Sequence, residues 1–241
     1  MPLSRKSAEG VSAVSSLLDD GPIVLPALLL CDFGHLADEV ARLEAAGAKA
    51  IHLDVMDGRF VPQLTYGMVV VEAVRRAATV PIEVHLMIAE PDQTAADYAR
   101  AGGDIVTVHI EGVVNPEATL AAITAAGSQA HLAISPGTPV EQVEPFLAAA
   151  AGVLVMGVEP GFGGQVFQPS SLDKLSQLRQ LRAERDLALQ LGIDGGIAVG
   201  TIAAAARAGA ELIVAGSAVI RSGDYAAAIR ELQQIAREEV C

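Results

Sequence analysis

The stretch Ile51-His52-Leu53-Asp54-Val55-Met56-Asp57-Gly58-Arg59-Phe60-Val61-Pro62 decides how this chain folds. Its apolar first half predicts a short buried strand, and Asp57-Gly58 predicts the turn that ends it. Side chains alternate between the two faces of a strand, so His52, Asp54 and Met56 point the same way. An imidazole and a carboxylate on one face are the beginning of a metal site, because both are common ligands of divalent ions.

A second stretch repeats this pattern. In Glu83-Val84-His85-Leu86-Met87, an acid, a histidine and a methionine again occupy alternate positions of an apolar run. Asp194 ends a later apolar run and completes a set of two histidines and two aspartates. One His-x-Asp pair alone is more often a satisfied polar pair than a metal site. The repetition on a second strand favours the metal site.

Composition limits the class of protein. The chain has 241 residues, enough for one large domain or two small ones. It is 51% hydrophobic but only 3% aromatic, so its core must be aliphatic. An aliphatic core suits a parallel sheet covered by helices. A single α/β barrel of about 250 residues is one such architecture.

The formal net charge of -13 argues against nucleic acid and anionic membranes as partners, because both require patches of Lys and Arg. A small anionic substrate remains compatible if backbone amides or a metal ion bind it. No apolar run has the length of a membrane span, and no secretory signal is expected. Two cysteines without a disulfide-rich spacing favour a reducing compartment. We therefore expect a cytoplasmic protein.

We expect residues 1–21 to form an N-terminal extension outside the fold and residues 22–241 to form one catalytic domain. In that domain, short apolar strands alternate with amphipathic helices. The predicted strands are Ile23–Leu29, Ala50–Met56, Ile82–Met87, Ile105–His109, Ala130–Ser135, Val153–Val158, Ala188–Asp194 and Leu212–Ala215. The predicted helices are Gly34–Ala46, Met68–Ala78, Asp92–Ala101, Pro116–Ala126, Val140–Ala149, Ser170–Arg185, Thr201–Ala208 and Asp224–Glu239. Eight such units favour a closed (β/α)8 TIM barrel over an open doubly wound sheet.

Candidate site residues concentrate at the carboxyl ends of the predicted strands, which is the active-site end of such a barrel. They are His52, Asp54, Met56, His85, Met87, His109, Met156 and Asp194. Two roles remain open for His109. It is either a further metal ligand or a structural residue that supports the ligands. Glu83 is expected to make a hydrogen bond or ion pair inside the barrel. Asp32 is expected to be a helix N-cap or a loop residue.

Three glycine-containing loops predict an anion site. They are Glu159-Pro160-Gly161-Phe162-Gly163-Gly164-Gln165, Asp194-Gly195-Gly196 and Ala215-Gly216-Ser217. Glycines let backbone amides approach a ligand closely, and barrels often bind phosphate in the loops after strands seven and eight. Three ordinary tight turns are the alternative.

Taken together, His52–Pro62, His85–Met87, Glu159–Gln165, Asp194–Gly196 and Gly216–Ser217 resemble the ribulose-phosphate 3-epimerase family. The resemblance implies one divalent metal ion (Zn, Fe, Mn or Co) on His52, Asp54, His85 and Asp194, with Asp54 and Asp194 also acting as acid and base. It implies substrate contacts from His85, Met56, Met87, Met156, Gly161, Phe162, Gly163, Gly164, Gly195, Gly196, Gly216 and Ser217. It further implies a homo-oligomer, dimer or hexamer, in the pentose phosphate pathway.

The activity implied is reversible epimerisation at C3 of a ketose phosphate, D-ribulose 5-phosphate to D-xylulose 5-phosphate. Three positions depart from residues that are common in the family. Ala27 stands where serine is usual, Gly157 where serine or threonine is usual, and Glu159 where asparagine is common. Ala27 leaves D-allulose 6-phosphate open as the substrate. A phosphate-binding barrel of another reaction, such as a decarboxylase or lyase, and a silent sugar-phosphate binder are more distant alternatives.

Overall fold

The computed structural model describes Val14 and residues 16–240, and within them eight parallel strands form one sheet. The strands are β1 (Ile23–Pro26), β2 (Ile51–Met56), β3 (Ile82–Met87), β4 (Ile105–His109), β5 (Gln129–Ile134), β6 (Gly152–Met156), β7 (Gln190–Asp194) and β8 (Leu212–Ala215). The order runs β1-β8-β7-β6-β5-β4-β3-β2, and a parallel bridge between Ala27 and His52 joins the two ends. The predicted TIM barrel is confirmed.

Helices follow the strands and cover the outside of the barrel. They are α1 (Leu36–Ala45), α2 (Met68–Ala77), α3 (Ala95–Ala101), α4 (Pro116–Ala125), α5 (Ser170–Glu184), α6 (Val199–Ala208), α7 (Ser217–Ile220) and α8 (Tyr225–Glu238). Local chemistry fixes where they begin. The side chain of Asn115 accepts a hydrogen bond from the amide of Ala118 at the start of α4. Pro116 suits the first helical position because it has no N–H, and an N–H at this position would lack a partner within the helix. Asp224 caps α8 in the same way through Ala227.

One predicted helix is wrong. Val140–Ala149 does not form an α-helix but two short 3-10 turns, Val140–Gln142 and Glu144–Phe146. Pro145 lies in the middle of this segment and has no N–H to donate to a preceding turn, so a continuous α-helix cannot form. The short helix α7 was not predicted. β1 also ends at Pro26, three residues before the predicted end at Leu29, and a 3-10 turn over Leu28–Leu30 follows.

Aliphatic side chains fill the inside of the barrel where the strands begin. Ile23, Ile105 and Leu212 are the first residues of β1, β4 and β8, and they belong to one buried cluster with Val14 and Leu17. Full burial of a side chain such as Val14 contributes roughly 1.5–3 kcal/mol. This part of the N-terminal extension therefore belongs to the fold, although the sequence predicted that it would lie outside. Residues 1–13 and 15 lie outside the described part, and the boundary near residue 21 stays a prediction.

The strands end at the opposite mouth of the barrel, where the candidate site residues lie. Strand pairing sets their alignment: in β2 and β3, His52 is level with Glu83, Asp54 with His85, and Met56 with Met87. In β6 and β7, Met156 is level with Asp194. Among the helices described, none combines the length and apolar character needed to cross a membrane.

Candidate active site

Four side chains converge inside the barrel from three of its strands. They are His52 and Asp54 on β2, His85 on β3 and Asp194 on β7, and one nitrogen or oxygen of each lies within 4.8 Å of the others. The two histidines are fully buried and Asp54 is almost so. Curvature of the closed sheet brings β7 opposite β2 and β3, which is why residues so distant in sequence meet.

The separations fit the ligand shell of a small divalent ion. His52 Nε2 lies 3.2 Å from Asp54 Oδ1 and 3.8 Å from Asp194 Oδ2, and His85 Nδ1 lies 3.5 Å from each of these two oxygens. Tetrahedral ligands at about 2.1 Å from zinc would be roughly 3.4 Å apart. His85 Nδ1 is buried and makes no well-aligned hydrogen bond. An unsatisfied imidazole lone pair facing two carboxylates suits a cation between them.

Burial and neighbouring groups change the pKa of His52, His85 and Asp54 in opposite directions. Burial opposes the charged form of His52, but the carboxylates of Asp54 and Glu83 raise its pKa well above the ordinary value. Burial likewise opposes charge on His85, and the nearby carboxylates of Asp194 and Asp54 raise its pKa. Burial opposes the charge of Asp54, while His52 and His85 hold its pKa below the ordinary range. The charged forms of these three groups thus favour one another, and a metal ion on the two histidines would displace their protons.

Glu83 holds the first histidine in place. Its Oε2 lies 2.9 Å from His52 Nδ1, and its Oε1 accepts a hydrogen bond of 2.8 Å from the hydroxyl of Thr107. The internal hydrogen bond or ion pair expected of Glu83 is confirmed. A carboxylate behind a histidine fixes the orientation of the ring and leaves its other nitrogen, here Nε2, facing the cluster.

His109 contacts the cluster without joining it. It ends β4, is fully buried, and its Nε2 lies 2.9 Å from Nε2 of His85. Its Nδ1 lies 3.0 Å from Oε2 of Glu111, and the ring of Phe60 lies against it with 4.9 Å between ring centroids. The sequence leaves His109 open between a metal ligand and a supporting partner, and the geometry places it beside His85.

Two residues that sequence reasoning missed support the backbone of Asp54. The hydroxyl of Tyr66 accepts a hydrogen bond of 3.0 Å from the amide of Asp54, and the hydroxyl of Thr65 donates to its carbonyl at 2.7 Å. Polar residues soon after the 51–62 stretch were the available signal. Asp32, by contrast, caps a short 3-10 helix by accepting from Gly34, as predicted.

An open cavity lies above the four-residue cluster and encloses about 580 Å³, solvent included. Its lining includes every candidate substrate-binding residue except His85: Met56, Met87, Met156, Gly161, Phe162, Gly163, Gly164, Gly195, Gly196, Gly216 and Ser217. Asp54, Asp194 and Ala27 line it as well. Among described residues, no lysine or arginine lines this cavity. An anion bound here would therefore have to be held by backbone amides, hydroxyls or a metal.

The loop after β7 requires glycine at two positions. Gly195 and Gly196 have φ angles of +102° and +69°, which L side chains rarely adopt. A Cβ on Gly195 would lie 2.4 Å from a side-chain atom of Val158, and one on Gly196 would lie 2.8 Å from Cα of Phe167. The glycines let this loop pack directly against the loop after β6.

Known proteins resemble this chain over most of its length. Residues 23–220 match the model of the ribulose-phosphate 3 epimerase family. The chain is 41% identical over 236 residues to the chloroplastic ribulose-5-phosphate-3-epimerase of Arabidopsis thaliana, covering 95% of this chain and 84% of that one. It is 45% identical to the ribulose-phosphate 3-epimerase of Mycobacterium bovis, covering 89% and 93%. The structure of KGPDC from Streptococcus mutans, at 15% identity and TM-score 0.70 over 90% of this chain and 98% of that one, shares the fold.

Proposed function

The chain belongs to the ribulose-phosphate 3-epimerase family, and we propose that it interconverts D-ribulose 5-phosphate and D-xylulose 5-phosphate by inverting C3. The observation that carries the proposal is the convergence of His52, Asp54, His85 and Asp194 below a cavity lined by the glycine loops. C3 bears a hydroxyl and lies beside the ketone, so its C–H is acidic enough for a carboxylate to remove. Epimerisation then needs an acid and a base on opposite faces of the substrate.

A divalent metal ion would be held by the two histidines and two aspartates of the cluster. Such an ion stabilises the negative charge of an ene-diolate by several kcal/mol. The unsatisfied Nδ1 of His85 and the mutual separations of the four ligand atoms support this assignment. Two imidazoles with two carboxylates suit zinc, iron, manganese or cobalt, so the proposal covers all four.

Asp54 and Asp194 are proposed as the acid and base. One carboxylate accepts the proton from C3, which leaves an ene-diolate, and the other carboxylic acid returns a proton to the opposite face. Both side chains line the cavity, whereas the two histidines lie below them. Met56, Met87 and Met156 line it beside them, and these apolar walls exclude water without offering competing protons.

The phosphate is proposed to lie against the glycine loops. Gly161, Gly163 and Gly164 follow β6, Gly195 and Gly196 follow β7, and Gly216 and Ser217 follow β8. Backbone amides and the Ser217 hydroxyl would hold the dianion, because no basic side chain of the described part lines the cavity. The same loops hold phosphate in many barrels.

A six-carbon ketose phosphate such as D-allulose 6-phosphate is the second candidate substrate. Ala27 is the observation that favours it, because this residue lines the cavity and offers a methyl group where a hydroxyl is usual in the family. The ratio of kcat/KM on the two sugars would decide between them. Assembly into dimers or hexamers, a cytoplasmic location and a place in the pentose phosphate pathway remain predictions.

A coupled assay on D-ribulose 5-phosphate tests the proposal. Protein stripped by a strong chelator should lose activity and regain it when one of the four metals is added. Elemental analysis of the purified protein should find about one divalent ion per chain. Full activity of stripped, metal-free protein would contradict the metal assignment, and no turnover with any added metal would contradict the function itself.

A further inference from the structure

The two ring nitrogens of His85 have different surroundings. Nδ1 faces Asp54 Oδ1 and Asp194 Oδ2, each at 3.5 Å, and has no well-aligned hydrogen bond. Nε2 lies on the far side of the ring, 2.9 Å from Nε2 of His109. A neutral imidazole carries its proton on only one nitrogen, so whatever holds the proton on Nε2 leaves Nδ1 free.

The contact between the two histidines needs one proton. Two bare nitrogens at 2.9 Å would repel, and two N–H groups would clash, so one ring donates and the other accepts. The separation alone does not say which ring donates. The remaining partners of His109 decide the direction.

Glu111 sets that direction. Burial opposes its charge, but hydrogen bonds to His109 and Thr138 and from the amide of Ser135 lower its pKa to about 2. An ionised carboxylate only accepts, so at 3.0 Å it takes the proton on Nδ1 of His109. The Ser135 hydroxyl, at 3.5 Å from the same Nδ1, is too distant to compete. In a neutral His109, Nε2 is then bare and accepts from Nε2–H of His85.

We propose that His109 and Glu111 are positioning residues that hold the proton of His85 on Nε2 and so present its Nδ1 lone pair to the divalent ion. The proposal rests on the proposed function for the presence of that ion, but not for the tautomer. It gives the second histidine the support that the first already has, since Glu83 holds a proton on Nδ1 of His52 and leaves Nε2 facing the cluster. His85 receives its support through an intervening imidazole.

The tautomer can be measured in metal-free protein. Nitrogen-15 NMR at alkaline pH, where His85 is neutral, should show Nε2 protonated and Nδ1 bare. In His109→Leu, the acceptor is gone, and the proton should move in part to Nδ1, where Asp54 and Asp194 can accept it. Wild-type protein with the proton on Nδ1 of His85 would overturn the proposal, whatever the protein binds or catalyses.

Metal affinity gives a second readout. Cobalt titrations, followed by absorption against a competing chelator, should show about 10–100-fold weaker binding in His109→Leu. His109→Gln keeps a carbonyl oxygen that can accept from His85, so its affinity should lie between the two. His131→Leu is the matched control, because His131 is a buried histidine of the next strand and has no hydrogen bond to the four cluster residues. It should bind cobalt as wild type does.

The outcomes separate the two proposals. Equal affinity in wild type and His109→Leu would overturn the positioning role while leaving the metal site intact. Wild-type protein that binds no cobalt would overturn the metal site, and the NMR measurement would still decide the tautomer. Weaker binding in His109→Leu with recovery in His109→Gln supports the proposal, because a purely structural defect would not depend on an acceptor at this position.

Discussion

Asp54 and Asp194 come from β2 and β7, yet an oxygen of each lies 3.5 Å from the same atom, Nδ1 of His85. Replacing either aspartate with asparagine removes a proton acceptor and nearly preserves shape. We expect kcat on D-ribulose 5-phosphate to fall by about 10²–10⁴-fold in Asp54→Asn and in Asp194→Asn, because a general acid or base usually contributes a rate factor of this size. Asp97→Asn, on the exposed surface of α3, is the control and should leave turnover unchanged. Near-normal turnover in either cluster variant contradicts the acid/base roles.

Glu83→Gln should weaken metal binding without emptying the site. The amide keeps the volume of the buried carboxylate and can still accept from Thr107, but it no longer fixes a proton on Nδ1 of His52 by charge. Loss of such a partner typically costs about 10–100-fold in affinity. A competition titration of zinc measures the effect, with the exposed Glu72→Gln as control. Equal affinities in both variants would show that Glu83 does not orient His52.

The glycine loops give a prediction about substrate affinity. Gly195→Ala would force a φ of +102° on alanine and place its Cβ 2.4 Å from Val158, so the loop after β7 must shift. Strain of this kind costs roughly 1–3 kcal/mol. We expect a raised KM for the sugar phosphate and a lower melting temperature. Gly200→Ala in α6 is the control, since nothing lies within 4 Å of its Cβ and helical Gly→Ala stabilises by roughly 0.5–1 kcal/mol. An unchanged KM in Gly195→Ala would remove this loop from the phosphate site.

His131 predicts how stability changes with pH. Burial lowers its pKa to about 4, from 6.5, so it is neutral in the folded protein near pH 6. The unfolded chain takes up a proton there, and stability is therefore lost as the pH falls from about 6.5 to about 4. Between about pH 7.5 and pH 5.5 the loss due to this group is about 1 kcal/mol.

Urea unfolding of metal-free protein at the two pH values measures this loss. His131→Leu cannot take up the proton in either state, so its free energy of unfolding should fall by about 1 kcal/mol less than that of wild type. The other titrating groups are common to the two proteins, and Glu83, whose pKa His131 helps to lower to about 2, stays ionised at both pH values. Identical pH dependence in both would mean that His131 titrates normally.

The sequence predicts strand positions well where polar and apolar residues alternate or where a run is continuously apolar. Ile82–Met87, Ile105–His109 and Leu212–Ala215 were predicted to the residue, because turn residues bound each run closely. The four cluster residues were also predicted, since each lies on the inner face near a strand end. The predicted helix Val140–Ala149 is absent because Pro145 interrupts the segment, which forms two 3-10 turns instead.

The partners of the ligands could not be predicted in the same way. Glu111 lies beyond the end of β4, where the loop path rather than strand alternation decides which way a side chain points. Tyr66 supports Asp54 from a loop, and Val14 is buried from an extension without strong periodicity. These contacts depend on tertiary structure and leave little mark on local sequence.

The central claim is proton exchange at C3 between two carboxylates. Its most direct test is to convert D-ribulose 5-phosphate in deuterium oxide with the metal-loaded protein and to examine the product by proton NMR. The account predicts D-xylulose 5-phosphate carrying deuterium at C3, formed by wild type and lost together with turnover in Asp54→Asn and Asp194→Asn. Product formed at the wild-type rate with the original proton retained at C3 would contradict it.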